Sequence, residues 1–558
     1  MRFSWLVFLV IVLLMGSAIF LQLEDVRVLE WIKPFFGHEK EKSDGYLADL
    51  IRLASSEVGW IGALLLLSWI FTRYANFSQI IKKIDDIFLH KPALTIGIIL
   101  VIFFCGSLFV STVVLKEFPN SSDEYVYLLQ AETLSQGEFW DPPHKLHQFF
   151  NFNHVAQKDG MRVGRFPPGW PMILSLAYVL GFPPVIVNPI LALLALFVFY
   201  KFARTRYDER IAIWSVVSLA FTAFFVFNSA SFFSHTVSLL EVLLFVHFTY
   251  RYLERGKLLD GLLAGLFLGL MIITRYYTAV LIFLPFFIYK VYQYKYRSLI
   301  LFVLIGLGSL PCIGFLFWYN FAITGNSFLP VTVWAFDGEG LGFIKGHSAV
   351  KGAEHFVRRV FMFLYWCSPP LLVLYFIFLW RKLQDQAHRF IHPEDYTFLV
   401  LAIGYFFYYE IGGNQYGPRF YFEALPFLVV FIVSCVLQCD KKWIRAFFLA
   451  GLIYSVVKIP FIAYHENRII YERMDVFRQV QSKNISNAVV LISSSTSVIR
   501  PMPIGDLTRN DKRYQNDVIY ARDLGDKNAE LMEYYKDRSF YRYVRDFDNP
   551  SGELVRIR

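Results

Sequence analysis

Apolar blocks of about 15–23 residues recur along the chain, and at 1.5 Å per residue a helix of that length crosses a hydrocarbon core of about 30 Å. So many blocks cannot be buried in one aqueous globule, and the chain reads as a polytopic membrane protein. Composition agrees: of 558 residues, 56% are hydrophobic and 18% charged, with mean hydropathy +0.45, against about 25% charged in an ordinary soluble domain. A soluble globular enzyme is excluded. Cys105, Cys312, Cys367, Cys435 and Cys439 lie in or beside apolar blocks without a Cys-x-x-Cys pair, so they read as packing residues rather than a disulfide framework or zinc site. The net charge of +9 is carried in short basic tracts between apolar blocks, where topology accounts for it without a nucleic-acid partner.

Spans are expected at Phe3 to Leu21, Val58 to Phe71, Ala93 to Leu115, Val185 to Tyr200, Ile211 to Phe227, Phe232 to Tyr250, Leu258 to Ile273, Thr278 to Tyr289, Leu299 to Tyr319, Val360 to Trp380, Tyr396 to Tyr409, Ala424 to Leu437 and Ala446 to Tyr464. That is about thirteen transmembrane helices. Lys and Arg favour the cytoplasmic side of short loops, and tracts such as Lys82/Lys83/Lys91, Lys201/Arg204/Arg206, Lys290/Lys295/Arg297 and Arg381/Lys382/Arg389 all fall inside on one condition. The segment Pro167 to Gly181 (PPGWPMILSLAYVLG) must not cross; it reads as a helix in the outer interface, with Trp170 and Tyr178 as interfacial aromatics. The expected fold is then all-α, with a two-span extension over 1–92, a transmembrane core over 93–464 whose large outer loop (116–184) carries juxtamembrane helices, and a small outer α/β domain over 465–558. In that last unit Ala488 to Ile492 and Asp517 to Ala521 read as strands and Asn528 to Tyr535 as a helix. The reading places the N-terminus in the cytoplasm and the C-terminus outside. No Gly-rich phosphate loop is present in the sequence, so nucleotide hydrolysis has no support.

The first outer loop opens with Asp123 and Glu124 just after a span, in SSDEYVYLLQAETLSQGEFWDPP. Two carboxylates at the membrane surface suit a general base or a metal ligand, although Ser122 or Asp123 could equally serve as a helix cap. Farther on, Arg162 and Arg165 in GMRVGRFPPGWP match phosphate oxygens at headgroup depth, or act as plain interfacial anchors. His144, His147 and His154 resemble a ligand set by number, but their spacing lacks a supporting carboxylate. Glu241, deep in its span, must be protonated, paired or facing a wet cavity. Arg275 in TRYYT and Arg419 in GGNQYGPRFYFEALP are isolated outer arginines against an inner bias, which a lipid-linked phosphate would explain. Pairing of Arg419 with Glu410 or Glu423 is the other account.

The Asp-Glu pair after a span, the run Tyr125, Ala131, Leu134, Gly137, the RFPPGWP helix, the Ser234-His235-Thr236 turn and the GPRF-Y-x-x-LP entry to a late span together resemble the type C glycosyltransferase superfamily. Within it they resemble the bacterial branch of protein O-mannosyltransferases and lipid A aminoarabinose transferases, over about Ala93 to Tyr464. That resemblance implies a cell-membrane glycosyltransferase that moves a sugar from a polyprenyl-phosphate donor to an envelope glycan, lipid or protein on the outer face, by direct displacement with inversion. It implies Asp123 as the base on the acceptor hydroxyl, Glu124 as the neighbouring acid, and Arg275 and Arg419 as cations on the leaving phosphate. Arg165, His235, Tyr276 and Tyr416 complete the expected substrate- or phosphate-binding set. Relatives carry a second acid where this chain has Ser234-His235-Thr236, and the first loop has no Asp-x-Asp pair, so the resemblance leaves a divalent metal open and implies no other cofactor. The alternatives are a polysaccharide polymerase or ligase of similar architecture, a secondary transporter and an envelope scaffold. A transporter would place its site at the midplane; a transferase brings Asp123, His235, Arg275 and Arg419 into one outer cavity.

Overall fold

The computed structural model describes residues 13–18, 42–74, 77–294, 296–336, 341–344, 346–384, 392–413, 415–493, 504–545, 549 and 551–558. The first expected span therefore lies outside the described residues except for 13–18, as do Lys295 and Arg389. Helices α1 (Lys42–Tyr74), α2 (Phe77–His90) and α3 (Pro92–Phe109, extended by a π turn Val110–Val114) lead into the first loop. That loop holds α4 (Ser122–Ser135), a hairpin of β1 (Val155–Lys158) and β2 (Met161–Gly164), and α5 (Gly169–Leu180). The core continues through α6 (Val187–Arg206), α7 (Glu209–Ala220), α8 (Ala223–Ala230), α9 (His235–Arg255), α10 (Leu258–Tyr294), α11 (Tyr296–Thr324) and the short α12 (Val331–Ala335). It closes with α13 (Ala349–Trp366), α14 (Pro369–Gln384), α15 (Pro393–Gly404), α16 (Leu425–Gln438) and α17 (Lys442–Arg473). Among the described residues seven helices are long and apolar enough to cross a membrane, or nine if each of two bent pairs is one span.

Helix α10 folds back on itself at Arg275, whose φ/ψ of −151°/75° breaks the helical run. Before the break the chain is antiparallel to α9: Asp260 pairs with Arg251 at 3.2 Å, Phe267 stacks on Phe248 and Thr274 donates to Glu241 at 3.0 Å. After it the order along α9 inverts, with Arg275 at His235, Phe283 and Phe286 on Phe245, and Lys290 over the Tyr250 ring. The two expected spans are thus arms of one helical hairpin with Arg275 at its tip. Backbones of α10 and α11 approach so closely that a Cβ on Gly265 would sit 2.2 Å from the Ile305 carbonyl oxygen.

Several expectations are corrected. The span expected over Val360 to Trp380 is bent by 118° between α13 and α14; Pro369 and Pro370 open α14, and a residue before proline is disfavoured in the helical region. Trp170 is not an interfacial aromatic: it is 1% exposed and its indole N–H donates to the Phe232 carbonyl at 2.7 Å. The helix that carries the last expected span continues past Tyr464, since α17 runs unbroken to Arg473.

Beyond α17 come α18 (Asp475–Ser482), β3 (Ala488–Ile492), β4 (Val518–Arg522), α19 (Asn528–Tyr534), β5 (Ser539–Val544) and β6 (Glu553–Arg556). They form a sheet in the order β4-β3-β5-β6, with β3 parallel to both neighbours and β6 antiparallel to β5. The two strands read from sequence are present, joined by two that carry more polar residues. All five residues of β3 (AVVLI) are buried, as a central strand covered on both faces requires. Phe149 and Phe150 of the first loop insert among Val489, Leu491, Ile519 and Phe540, so loop and C-terminal domain share one hydrophobic core.

Candidate active site

The chain leaving α3 turns through Lys116 and Glu117, both at positive φ, and enters α4 with Ser121 as its cap, its hydroxyl accepting from the Glu124 N–H at 3.3 Å. Neither Ser122 nor Asp123 has that task. Successive helical residues point about 100° apart, and Asp123 and Glu124 diverge accordingly. The Glu124 carboxylate accepts from the Asn120 N–H (2.9 Å) and the Phe232 N–H (3.0 Å), tying α4 to the turn before α9. Burial pushes its pKa up to about 7. Glu124 does not line the cavity described next.

Asp123 does. It stands in the wall of a cavity of about 880 Å³ lined also by His154, Arg165, His235, Arg275, Tyr276, Arg358, Glu410, Arg419, Arg473 and Asp506. Asp123 Oδ1 lies 3.3 Å from His154 Nε2, and Oδ2 lies 3.5 Å from Arg419 Nη2. The hairpin brings His154 there: Asp159 and Gly160, both at positive φ, close a two-residue turn, and the register pairs Val155 with Gly164. His154 and Arg165 therefore face each other at its base, where the Arg165 N–H donates to the His154 carbonyl at 2.9 Å. Arg165 Nη1 sits 2.6 Å from His154 Nδ1 and Nη2 donates to the Tyr409 hydroxyl at 2.8 Å. A guanidinium can only donate, so His154 Nδ1 accepts and Nε2–H is the donor to Asp123. Burial, with help from Arg165 and Arg419 and against Asp123, holds the His154 pKa below its ordinary value.

Arg419 reaches the cavity from a loop that folds onto itself, its N–H donating to the Gly412 carbonyl at 3.0 Å. Gly412 has φ +60°, and a Cβ there would lie 2.2 Å from the Phe420 ring. The guanidinium covers the Phe233 ring at 3.6 Å. Arg275, at the hairpin tip, is held on all sides: Nε lies 3.1 Å from Glu423 Oε1, Nη1 is 3.2 Å from His235 Nε2 and 3.3 Å from the Ser234 hydroxyl, and Nη2 is 3.3 Å from the Tyr405 hydroxyl. His235 Nδ1 faces Glu423 Oε1 at 3.2 Å, so the same donor argument puts its proton on Nδ1. Glu423 thus partners Arg275, and Arg419 partners Asp123.

Of the residues expected from sequence, Asp123, Arg165, His235, Arg275, Tyr276 and Arg419 converge on this cavity. Tyr416 does not; it is fully buried among Phe227, Phe233 and Trp366. Arg162 is diverted to the C-terminal domain, paired with Asp141 at 3.3 Å and donating to the Tyr514 hydroxyl at 2.6 Å. The three histidines part: His144 packs among Tyr514, Tyr534 and Tyr535, where burial lowers its pKa to about 4. Among the described residues no three His, Cys, Asp or Glu side chains gather as a metal-ligand set. Glu241 is closed off between helices, its Oε1 accepting from Thr274. Sequence reasoning missed His154 as the partner of Asp123, and also Glu410 and Asp506. The signal for His154 was there: Asp159-Gly160 between two short runs is a hairpin turn, and pairing across it puts His154 opposite Arg165.

Residues 167–318 match the family model of dolichyl-phosphate-mannose-protein mannosyltransferases. The fold is similar to that of ArnT from Cupriavidus metallidurans, solved bound to undecaprenyl phosphate, with TM-score 0.52 at 9% identity, over 84% of this chain and 98% of that one. The archaeal oligosaccharyltransferase AglB from Archaeoglobus fulgidus, solved with an inhibitory peptide and a dolichol-phosphate, gives TM-score 0.43 at 12% identity, over 81% of this chain and 70% of that one. No curated protein sequence matches. The resemblance to the type C glycosyltransferase superfamily carried by the motif order is borne out.

Proposed function

We propose that this chain, on a fold shared with ArnT, is a membrane glycosyltransferase that moves a sugar from a polyprenyl-phosphate donor to an envelope glycan, lipid or protein. The observation that carries the reading is one cavity in which Asp123 stands with Arg165, Arg275 and Arg419. The family-model match and the undecaprenyl phosphate held by ArnT support a lipid-linked donor. In the reaction the acceptor O–H gives its proton to Asp123, its oxygen attacks the anomeric carbon, and the carbon–oxygen bond to phosphate breaks with inversion. The electron pair leaves on polyprenyl phosphate, whose charge the arginines stabilise from fixed positions. His154 and Arg419 hold the two Asp123 oxygens; His235 and Glu423 hold Arg275.

The Lys and Arg pattern supports about thirteen spans, an inner N-terminus and a reaction on the outer face. On that topology 1–92 is a two-span extension, 93–464 the catalytic core and 465–558 an outer domain. The test is transfer of radiolabelled sugar from a panel of polyprenyl-phosphate sugars to envelope extracts by the purified full chain. Asp123→Asn at matched expression and folding is expected to lower kcat by about 10²–10⁴-fold, the range of a general base. Equal transfer by both proteins removes Asp123 from the mechanism, and no transfer by wild type from any donor shifts the reading to a transporter.

A further inference from the structure

The C-terminal domain reaches into this cavity. Its segment after residue 503 lies along the start of α4: Arg509 donates to the Pro119 carbonyl at 2.6 Å and covers the Phe118 ring at 3.9 Å, and Asn510 accepts from the Tyr125 hydroxyl at 3.1 Å. Asp506 on this segment is 1% exposed and belongs to the cavity wall. The Ser122 hydroxyl donates to its Oδ2. Its Oδ1 is buried and has no hydrogen-bond partner among the described residues. A buried carboxylate oxygen left without a donor is costly, and buried orphans of this kind are rare. A group that donates a hydrogen bond would satisfy it.

The sign of the charge decides which substrate that is. A phosphate is repelled by a carboxylate and drawn to Arg165, Arg275 and Arg419. The acceptor brings hydroxyl or amino donors. Ser122, Asp506 and Asp123 all line this one cavity, so a group held by Asp506 occupies the same chamber as the group that Asp123 deprotonates. We infer that Asp506, supplied by the C-terminal domain, is an acceptor-binding residue that receives a hydroxyl or amino group neighbouring the attacking hydroxyl, so that this domain forms part of the active site and selects the acceptor. The inference rests on the transferase reading above. In keeping with it, burial raises the Asp506 pKa to about 6, with Asp123 adding to the rise.

The experiment compares wild type, Asp506→Asn and Asp506→Ala as purified full chains in two measurements. The first is the thermal shift produced by undecaprenyl phosphate, which reads the donor side alone. The second is labelled transfer to total envelope extract over a dilution series, which separates half-saturating extract from the plateau. The expected result is an unchanged affinity for undecaprenyl phosphate with half-saturating extract raised at least about tenfold. Asp506→Asn keeps the shape but trades the charged acceptor for a neutral amide, which holds a hydroxyl or ammonium donor more weakly, so it carries the test if the alanine variant fails to fold. Unchanged half-saturation, or a loss confined to the plateau, overturns the inference and leaves the transferase reading standing. Weakened undecaprenyl phosphate binding also overturns it, placing Asp506 on the donor side. Absence of transfer by wild type brings down both readings.

Discussion

Adjacent carboxylates in Asp123-Glu124 have separate tasks because one helical step turns them apart. Glu124 spends both oxygens on backbone N–H groups, while Asp123 keeps 28% of its side chain open to the cavity. What readies Asp123 is the His154 contact, a positioning role that truncation and a conservative change should separate. His154→Ala leaves Oδ1 without its donor and Arg165 Nη1 without its acceptor, and transfer is expected to fall about tenfold or more. His154→Gln, which offers a donor and an acceptor from one amide, is expected to recover most of it. The measurement is kcat and KM for labelled transfer in both variants; equal loss in the two would show that hydrogen bonding at this position is not what matters. Arg275 and Arg419 were visible in the sequence as cations on the wrong side of the charge bias. Their partners were not, because Glu423, His235 and Asp123 come from distant stretches of chain.

The hairpin of α10 places Arg275, and its packing on α11 depends on residues without side chains. A Cβ on Gly265 would meet the Ile305 carbonyl oxygen at 2.2 Å, one on Gly308 the Leu262 carbonyl oxygen at 2.1 Å, while Gly306 on the same helix has nothing within 4 Å. Small residues that let backbones approach are a standard means of packing membrane helices. Gly265→Val is expected to cost about 1–3 kcal/mol through overpacking and to lower transfer as well, since Leu316 and Tyr319 of α11 line the cavity. Gly306→Ala is the control and should stay within about 0.5 kcal/mol of wild type. Thermal unfolding in detergent decides; a Gly265→Val protein as stable as the control would remove this packing argument. Local patterns announce such elements well. The broken span at Pro369-Pro370 shows where they mislead: apolar length counts residues, whereas the 118° bend belongs to the direction of the chain.

The membrane core and the C-terminal domain meet across buried polar groups, and two carboxyls there titrate near neutrality. Burial raises Glu124 from 4.5 to about 7 and Asp506 from 3.8 to about 6. Both folded-state values exceed the unfolded ones, so the folded protein binds protons more tightly between them. The resulting stabilisation is complete below the unfolded pKa values and is lost as pH rises through about 6 and then 7. The histidines whose pKa burial lowers, such as His144, act in the opposite sense and are common to wild type and variant, so the comparison isolates Asp506: the Tm of Asp506→Asn relative to wild type is expected to rise from pH 5 to pH 8. A Tm difference that stays constant over this range would contradict the assignment. Other polar ties, such as Lys512 with Asp141 at 2.7 Å and Arg162 with the Tyr514 hydroxyl at 2.6 Å, hold the two units together.

Whether a stretch suits hydrocarbon depends on its own residues, because lipid admits no unpaired backbone and few charges. Membrane residence, the helical character of the core, the α/β character of the tail and the separate reading of Pro167 to Gly181 were therefore open to reading in the linear chain. Which carboxylate faces the cavity, which arginine is paired with which acid, and the entry of Asp506 from almost four hundred residues away depend on contacts between segments far apart in the chain. Those contacts carry no local signature, since a charged residue in the sequence looks the same whether folding gives it a partner, a docking surface or a substrate. Packing made the choice: it sent Arg162 to Asp141 and Arg165 to His154, though only two residues separate them.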